Sequence, residues 1–224
     1  MKKILPVAAT VAAVLVAGVA YQSFSGATDS TSVTSFAAQA QDGAAADADL
    51  SLVQEMTLGN PDAAVTVIEY ASFTCPHCRT FHEGPFQKLK ADYIDTDKIN
   101  FVYREVYFDR PSLWAGMVAR CGGPLRYFGI SSLIYDQQDE WARGEPAEIA
   151  ASLRRIGKTA GLSDEQLDAC MQDADKAQAL VATYEKNAAA DNITATPSFV
   201  IDGETMKNMS YEEMSKILDE KLGE

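Results

Sequence analysis

Residues 72–82 read SFTCPHCRTFH and gather two of the chain's four cysteines and both of its histidines. Cys75 and Cys78 flank Pro76 and His77, and His82 follows one helical turn later. Thiols at this spacing can cycle between dithiol and disulfide, can share a metal with histidine, or can form a structural staple. A staple closing so short a loop removes little freedom from the unfolded chain. A zinc site needs four ligands, and Cys75, Cys78 and His82 supply three with no compact second pair nearby. The redox reading draws on position as well as on residue type.

Cys75 follows a β-rich stretch directly and stands where a helical pattern begins. There the unpaired N–H groups of the first turn and the positive end of the helix dipole favour a thiolate. His77, when protonated, would add a positive charge or a hydrogen bond close to the same sulfur; a plain surface residue is the lesser alternative. Pro76 suits a first helical turn, where its missing N–H is not needed. Cys75 is therefore expected to be the exposed attacking thiol, and Cys78, a turn deeper, the resolving one. A stabilised thiolate favours the reduced form and makes the disulfide a stronger oxidant. Were the Cys75 pKa about 4, roughly three units would count at pH 7, worth about 4 kcal/mol or ~90 mV.

The elements that would hold this motif follow from periodicity. Ala64–Phe73 is rich in β-branched and aromatic residues and reads as a buried strand. A helix opens in the motif and carries Phe81, Phe86, Leu89, Tyr93 and Ile94, with a break expected at Gly84-Pro85. Ile99–Phe108 is a second strand, so the opening is a parallel βαβ unit. Residues 111–190 hold helical patterns only: Trp114, Met117, Val118 and Cys121 share one face, and Leu167, Cys170, Met171 and Ala174 another, with Ser163 a candidate N-cap. Ser198–Ile201, the Asp202-Gly203 turn and Glu204–Met206 form a hairpin. Ser210 and Glu213 then cap a last helix striped by Tyr211, Met214, Ile217, Leu218 and Leu222. The fold class is α/β, ordered β-α-β, an all-helical insertion, then β-β-α.

The N-terminus bears on compartment. Met1-Lys2-Lys3 precedes an uncharged apolar run from Ile4 to Ala20, the layout of an export signal. That run, residues 1–20, is read as a signal peptide or a retained membrane anchor. Residues 21–51 are a low-complexity spacer, and residues 52–224 form the folded domain. The formal charge of -13 argues against nucleic acid and anionic membrane surfaces as partners. Export places the chain in the periplasm or another extracytoplasmic space, where disulfides persist.

Cys-Pro-His-Cys after a strand, a helical insertion, and ATPSFVIDGE at residues 195–204 together resemble the DsbA-like thiol:disulfide oxidoreductases of the thioredoxin-fold superfamily. The resemblance covers about residues 52–222. It implies that Cys75 attacks, that Cys78 resolves, and that Pro197 is the family's cis-proline beside the active site, preceded by Thr196. The Thr196-Pro197 loop would then pair with a substrate strand. Glu69 matches an acidic position thought to help protons reach the buried sulfur, although a polar group satisfied at a strand edge is an equal reading. His82 is left without a role, as a helix-surface residue.

Cys121 and Cys170 lie on apolar helix faces of the insertion. In an oxidising compartment they are expected to pair as a structural disulfide worth about 4 kcal/mol in the chain-entropy model. The leading function is an extracytoplasmic oxidase that donates the Cys75–Cys78 disulfide to reduced exported proteins. Its expected cofactor is that disulfide alone, with no metal. The resemblance implies a membrane quinone-linked partner that reoxidises it, and the chain would act as a monomer. Two alternatives stand beside this: a disulfide isomerase or dedicated reductase for metalloprotein or cytochrome maturation, and a non-enzymatic metal- or peptide-binding module.

Overall fold

A short strand missing from the sequence reading opens the sheet in the computed structural model, which describes residues 48–224. β1 (Met56–Gly59) offers only Met56 and Leu58 as alternating apolar positions, too few to mark a strand by period. It pairs antiparallel with β3, Met56 opposite Tyr103. Gly59 ends it at φ +80, where an added Cβ would collide with the Ile99 carbonyl oxygen. The apolar run at 1–20 and the spacer as far as residue 47 lie outside the described residues. Among the described residues, no helix is long and apolar enough to cross a membrane.

β2 (Val65–Ala71) and β3 (Ile99–Glu105) run parallel, Val65 opposite Ile99 and Ala71 opposite Glu105. Between them lie α1 (Pro76–Glu83), α2 (Pro85–Leu89) and a π-type turn at Lys90–Ile94. The helix breaks at Gly84-Pro85, where proline has no N–H to offer the preceding turn. Phe81, Phe86, Leu89, Tyr93 and Ile94 are all buried in the core that includes the sheet.

The insertion comprises α3 (Arg110–Cys121), α4 (Pro124–Asp136), α5 (Gln138–Trp141), α6 (Pro146–Thr159), α7 (Asp164–Met171) and α8 (Ala174–Ala190). Three of these carry proline in the first turn, and Asp109, Ser163 and Asp173 each cap the helix that follows. The pattern that joined Ala174 to Leu167 spans two helices, because the chain turns at Gln172-Asp173 and Asp173 caps α8.

β4 (Ser198–Ile201) pairs antiparallel with β2, and β5 (Glu204–Lys207) closes the hairpin. Asp202 and Gly203 take φ of +49 and +81, the twist a two-residue hairpin turn requires. α9 (Tyr211–Leu222) follows, its N-terminus closed by reciprocal bonds between Ser210 and Glu213. Sheet order is β1-β3-β2-β4-β5. This is the α/β thioredoxin arrangement, with the helices of residues 110–190 inserted between β3 and β4.

Charge and sulfur fasten the insertion. Arg120 of α3 donates from Nε at 2.7 Å and Nη2 at 2.5 Å to the two oxygens of Glu105 on β3. Tyr127 of α4 donates to the same carboxylate at 2.8 Å. These bonds satisfy an ion pair that is almost wholly buried, so loss of one partner would strand a charge. Cys121 and Cys170 join α3 to α7 through a disulfide, Cα atoms 5.7 Å apart.

Candidate active site

β2 ends at Ala71, and Ser72–Thr74 turn the chain into α1. Cys75 is the N-cap, in extended backbone at φ -81 and ψ 119, with Pro76 in the first helical turn. Its side chain caps nothing, so the sulfur stays available. Cys78 sits inside the first turn and is fully buried, while Cys75 is half-buried, and both are free thiols.

The two sulfurs differ sharply in acidity. Cys75 is pushed down to about 5, first by the hydrogen bond its thiolate accepts from Cys78. Burial opposes this, while the Thr196 side chain and the backbone N–H groups of Cys78 and His77 reinforce it. Cys78 is pushed far up, mainly by burial, then by the Cys75 hydrogen bond and charge and by the Glu69 charge. The thiolate thus resides on the accessible sulfur and the proton on the sealed one. His77 acts on Cys75 through its backbone N–H, a part the sequence reading gave to its ring; the side chain itself is exposed.

The Thr196-Pro197 peptide is cis. In its thiol form Cys75 donates to the Thr196 carbonyl oxygen at 3.5 Å. His77, Thr196, Pro197, Met206 and Lys207 help line an open cleft of about 400 Å³ beside the sulfur. Glu69, Pro76, His77, Thr196 and Pro197 therefore gather around the two cysteines, whereas Cys121 and Cys170 are bonded to each other within the insertion.

Several residues that shape the site carried no local signal. Gln138 of α5 donates to the carbonyl oxygens of Phe73 at 2.7 Å and Cys75 at 3.1 Å, clamping the turn before α1. Tyr135 donates to the Ser72 carbonyl oxygen at 3.3 Å, and Thr74 to Asp109 at 2.9 Å. The insertion thus holds the loop that presents Cys75.

His82 corrects the sequence reading outright. It is 6% exposed, stacked on Tyr135 at 4.4 Å between ring centres, with Nε2 at 3.2 and 3.1 Å from the two oxygens of fully buried Glu69. Glu69 is accordingly no strand-edge group. The signal was present: residues 78 and 82 are one helical turn apart, so a buried resolving cysteine places His82 on the same inward face. Among the described residues, no group of three or more His, Cys, Asp or Glu is arranged to hold a metal.

Comparison with known proteins gives the same picture. The thioredoxin family model matches residues 51–220. A relative from Rickettsia typhi whose name places it among protein-disulfide oxidoreductases is 36% identical over 169 residues, 75% of this chain and 62% of its own length. The chain thus spans under two thirds of that relative. Disulfide bond formation protein D of Bacillus subtilis is 24% identical over 77% of this chain and 79% of its own. Among solved structures, alpha-DsbA1 of Wolbachia pipientis superposes with a TM-score of 0.70 at 26% identity, covering 76% of this chain and 92% of its own.

Proposed function

The chain belongs to the thioredoxin family, in its DsbA-like form, and we propose that it is a thiol:disulfide oxidoreductase donating the Cys75–Cys78 disulfide to reduced exported proteins. One observation carries this reading: the accessible sulfur has its pKa pushed down to about 5 while its partner's is pushed far up.

In the proposed reaction a substrate thiolate attacks Cys75 Sγ. The Cys75–Cys78 bond breaks, its electron pair leaves on Cys78, and that sulfur takes up a proton. A mixed disulfide then joins substrate to Cys75, with the substrate backbone laid along the Thr196-Pro197 loop. The substrate's second thiolate attacks its own sulfur in that bond, and Cys75 departs as the stabilised thiolate. Two electrons pass from substrate to the cysteine pair, and a membrane quinone-linked partner removes them. At pH 7, two units of pKa depression are worth ~2.7 kcal/mol or ~60 mV toward oxidation, trimmed by the solvent that reaches half-buried Cys75. The setting is extracytoplasmic, as the basic start and apolar run of residues 1–20 suggest.

The test mixes oxidised protein with a reduced two-cysteine peptide. Stoichiometric peptide oxidation by the native chain, and none by Cys75→Ala, is the expected outcome. Peptide left reduced by the native chain, with reduction of disulfide substrates in its place, would overturn the reading.

A further inference from the structure

When Cys78 leaves, it needs a proton at a place water does not reach, for its side chain is fully buried. Substrate bound through Cys75 would cover the cleft beside Pro197, closing the near side as well. A second cleft, of about 360 Å³, is bordered by His82, Glu83, Gln87, Ser132, Tyr135 and Asp136 and shares no lining residue with the first. His82 lines this second cleft and also holds Glu69, whose charge is felt at Cys78.

We propose that His82 is a positioning residue that relays protons through Glu69 between Cys78 and this second cleft. The inference rests on the oxidoreductase reading above. Aromatic neighbours hold the ring in place, with Tyr135 stacked on it, Phe86 4.6 Å away and Tyr103 meeting it edge-on at 5.6 Å. Nε2 spans both Glu69 oxygens, and Nδ1 makes no hydrogen bond among the described residues. Neighbouring groups are poor substitutes. From β3 and α4, the phenols of Tyr103 and Tyr135 bond to each other at 2.6 Å, and burial pushes both well above the ordinary tyrosine range. Glu83 of α1 and Asp136 of α4 border the cleft and can collect protons at its wall. Between that wall and Glu69 stands an imidazole, the side chain suited to exchanging protons near neutral pH.

Protons and electrons balance along this route. Substrate thiolate bonds to Cys75 Sγ, the Cys75–Cys78 bond breaks, and the electron pair goes to Cys78 Sγ. His82 Nε2 hands its proton to the Glu69 carboxylate, which passes it to that sulfur, and a water of the cleft reprotonates His82 at Nδ1. Reoxidation runs the same route outward.

The experiment measures single-turnover oxidation of a dithiol peptide in native protein, His82→Ala and His82→Gln. Gln fills the space and keeps a hydrogen bond to Glu69 but does not exchange protons. Both variants are expected to be at least tenfold slower at pH 7, with the Cys75 thiolate absorbance titrating as in native protein. Added imidazole should raise the rate of His82→Ala severalfold, while thiazole, similar in shape and far less basic, should not; His82→Gln should respond to neither. In native protein, deuterium oxide should slow the step about twofold, a readout that needs no variant to fold. Native rates in His82→Gln, equal rescue by thiazole, or no isotope effect would overturn the relay while leaving the oxidoreductase reading intact. Failure of the native chain to oxidise the peptide would overturn both.

Discussion

Cys121 and Cys170 stand 49 residues apart in sequence and bind helix to helix, whereas Cys75 and Cys78 share one turn at a strand-helix junction. The first pair closes a long loop and so constrains the unfolded chain strongly. The second closes almost none, and its chemistry is set by surroundings: the Cys78 hydrogen bond, the Thr196 side chain and N–H groups on one sulfur, and burial, Cys75 and the Glu69 charge on the other. Sequence separation decides what a disulfide does for the fold. Asymmetry of environment decides what it can do to another protein.

Exchanging the two roles by mutation would break that contrast. Cys75→Ala is expected to abolish peptide oxidation and, at about pH 5 where the thiolate contributes little, to leave the denaturation midpoint of the reduced protein little changed. Replacing Cys121 and Cys170 together by alanine should do the reverse, costing about 4 kcal/mol of stability while the peptide is oxidised within twofold of the native rate. Urea denaturation and the peptide assay, run on both variants, read out the pair. Loss of activity in the second variant with its stability intact would contradict the division of labour.

A pH series sharpens the same contrast through linkage. The Cys75 thiol falls from an ordinary 9.0 to about 5 in the folded, reduced protein. A depressed pKa contributes stability that is fully present above the unfolded value and lost as pH falls through the folded one. Reduced protein should therefore gain stability relative to oxidised protein between about pH 5 and 9, by roughly 2 kcal/mol at pH 7 after solvent screening. The Cys121–Cys170 bridge, intact in both forms, cancels from this difference. Paired denaturation curves of the two redox forms give it directly, and a flat difference would contradict the thiolate assignment.

Smaller still is the effect of Thr196→Val, which removes a side-chain hydrogen bond to the thiolate and keeps the shape. It should raise the Cys75 pKa by no more than about one unit and make the pair less oxidising by up to ~30 mV. Thiolate absorbance follows the shift. No change would place the stabilisation wholly in α1 and Cys78.

Much of this contrast was legible in the sequence because its main elements are periodic. Val65–Ala71 and Ile99–Glu105 announce themselves by β-branched and aromatic runs, and the insertion by helical faces around Cys121 and Cys170. Pro76 is readable because proline suits a first helical turn, whereas the cis bond at Pro197 was carried by the family resemblance alone. What escaped is polar and long-range. Gln138, Asp109 and Tyr135 reach the active-site turn from the insertion, and a polar residue that meets its partner across the fold leaves no period behind. β1 was too short to show alternation. His82 was misread because histidine on a charged helix suggests a surface, although Cys78 one turn earlier already marked that face as inward.

The central claim, that this cysteine pair is oxidising because its thiolate is stabilised, is tested most directly by redox titration against glutathione across pH. A stabilised thiolate predicts a potential tens of mV more oxidising than the roughly −270 mV of a thioredoxin. It also predicts a slope near −30 mV per pH unit above about pH 5, where the reduced pair holds one proton, and near −59 mV per unit below, where it holds two. A potential at or below that of thioredoxin, with the change of slope near pH 9, would contradict it.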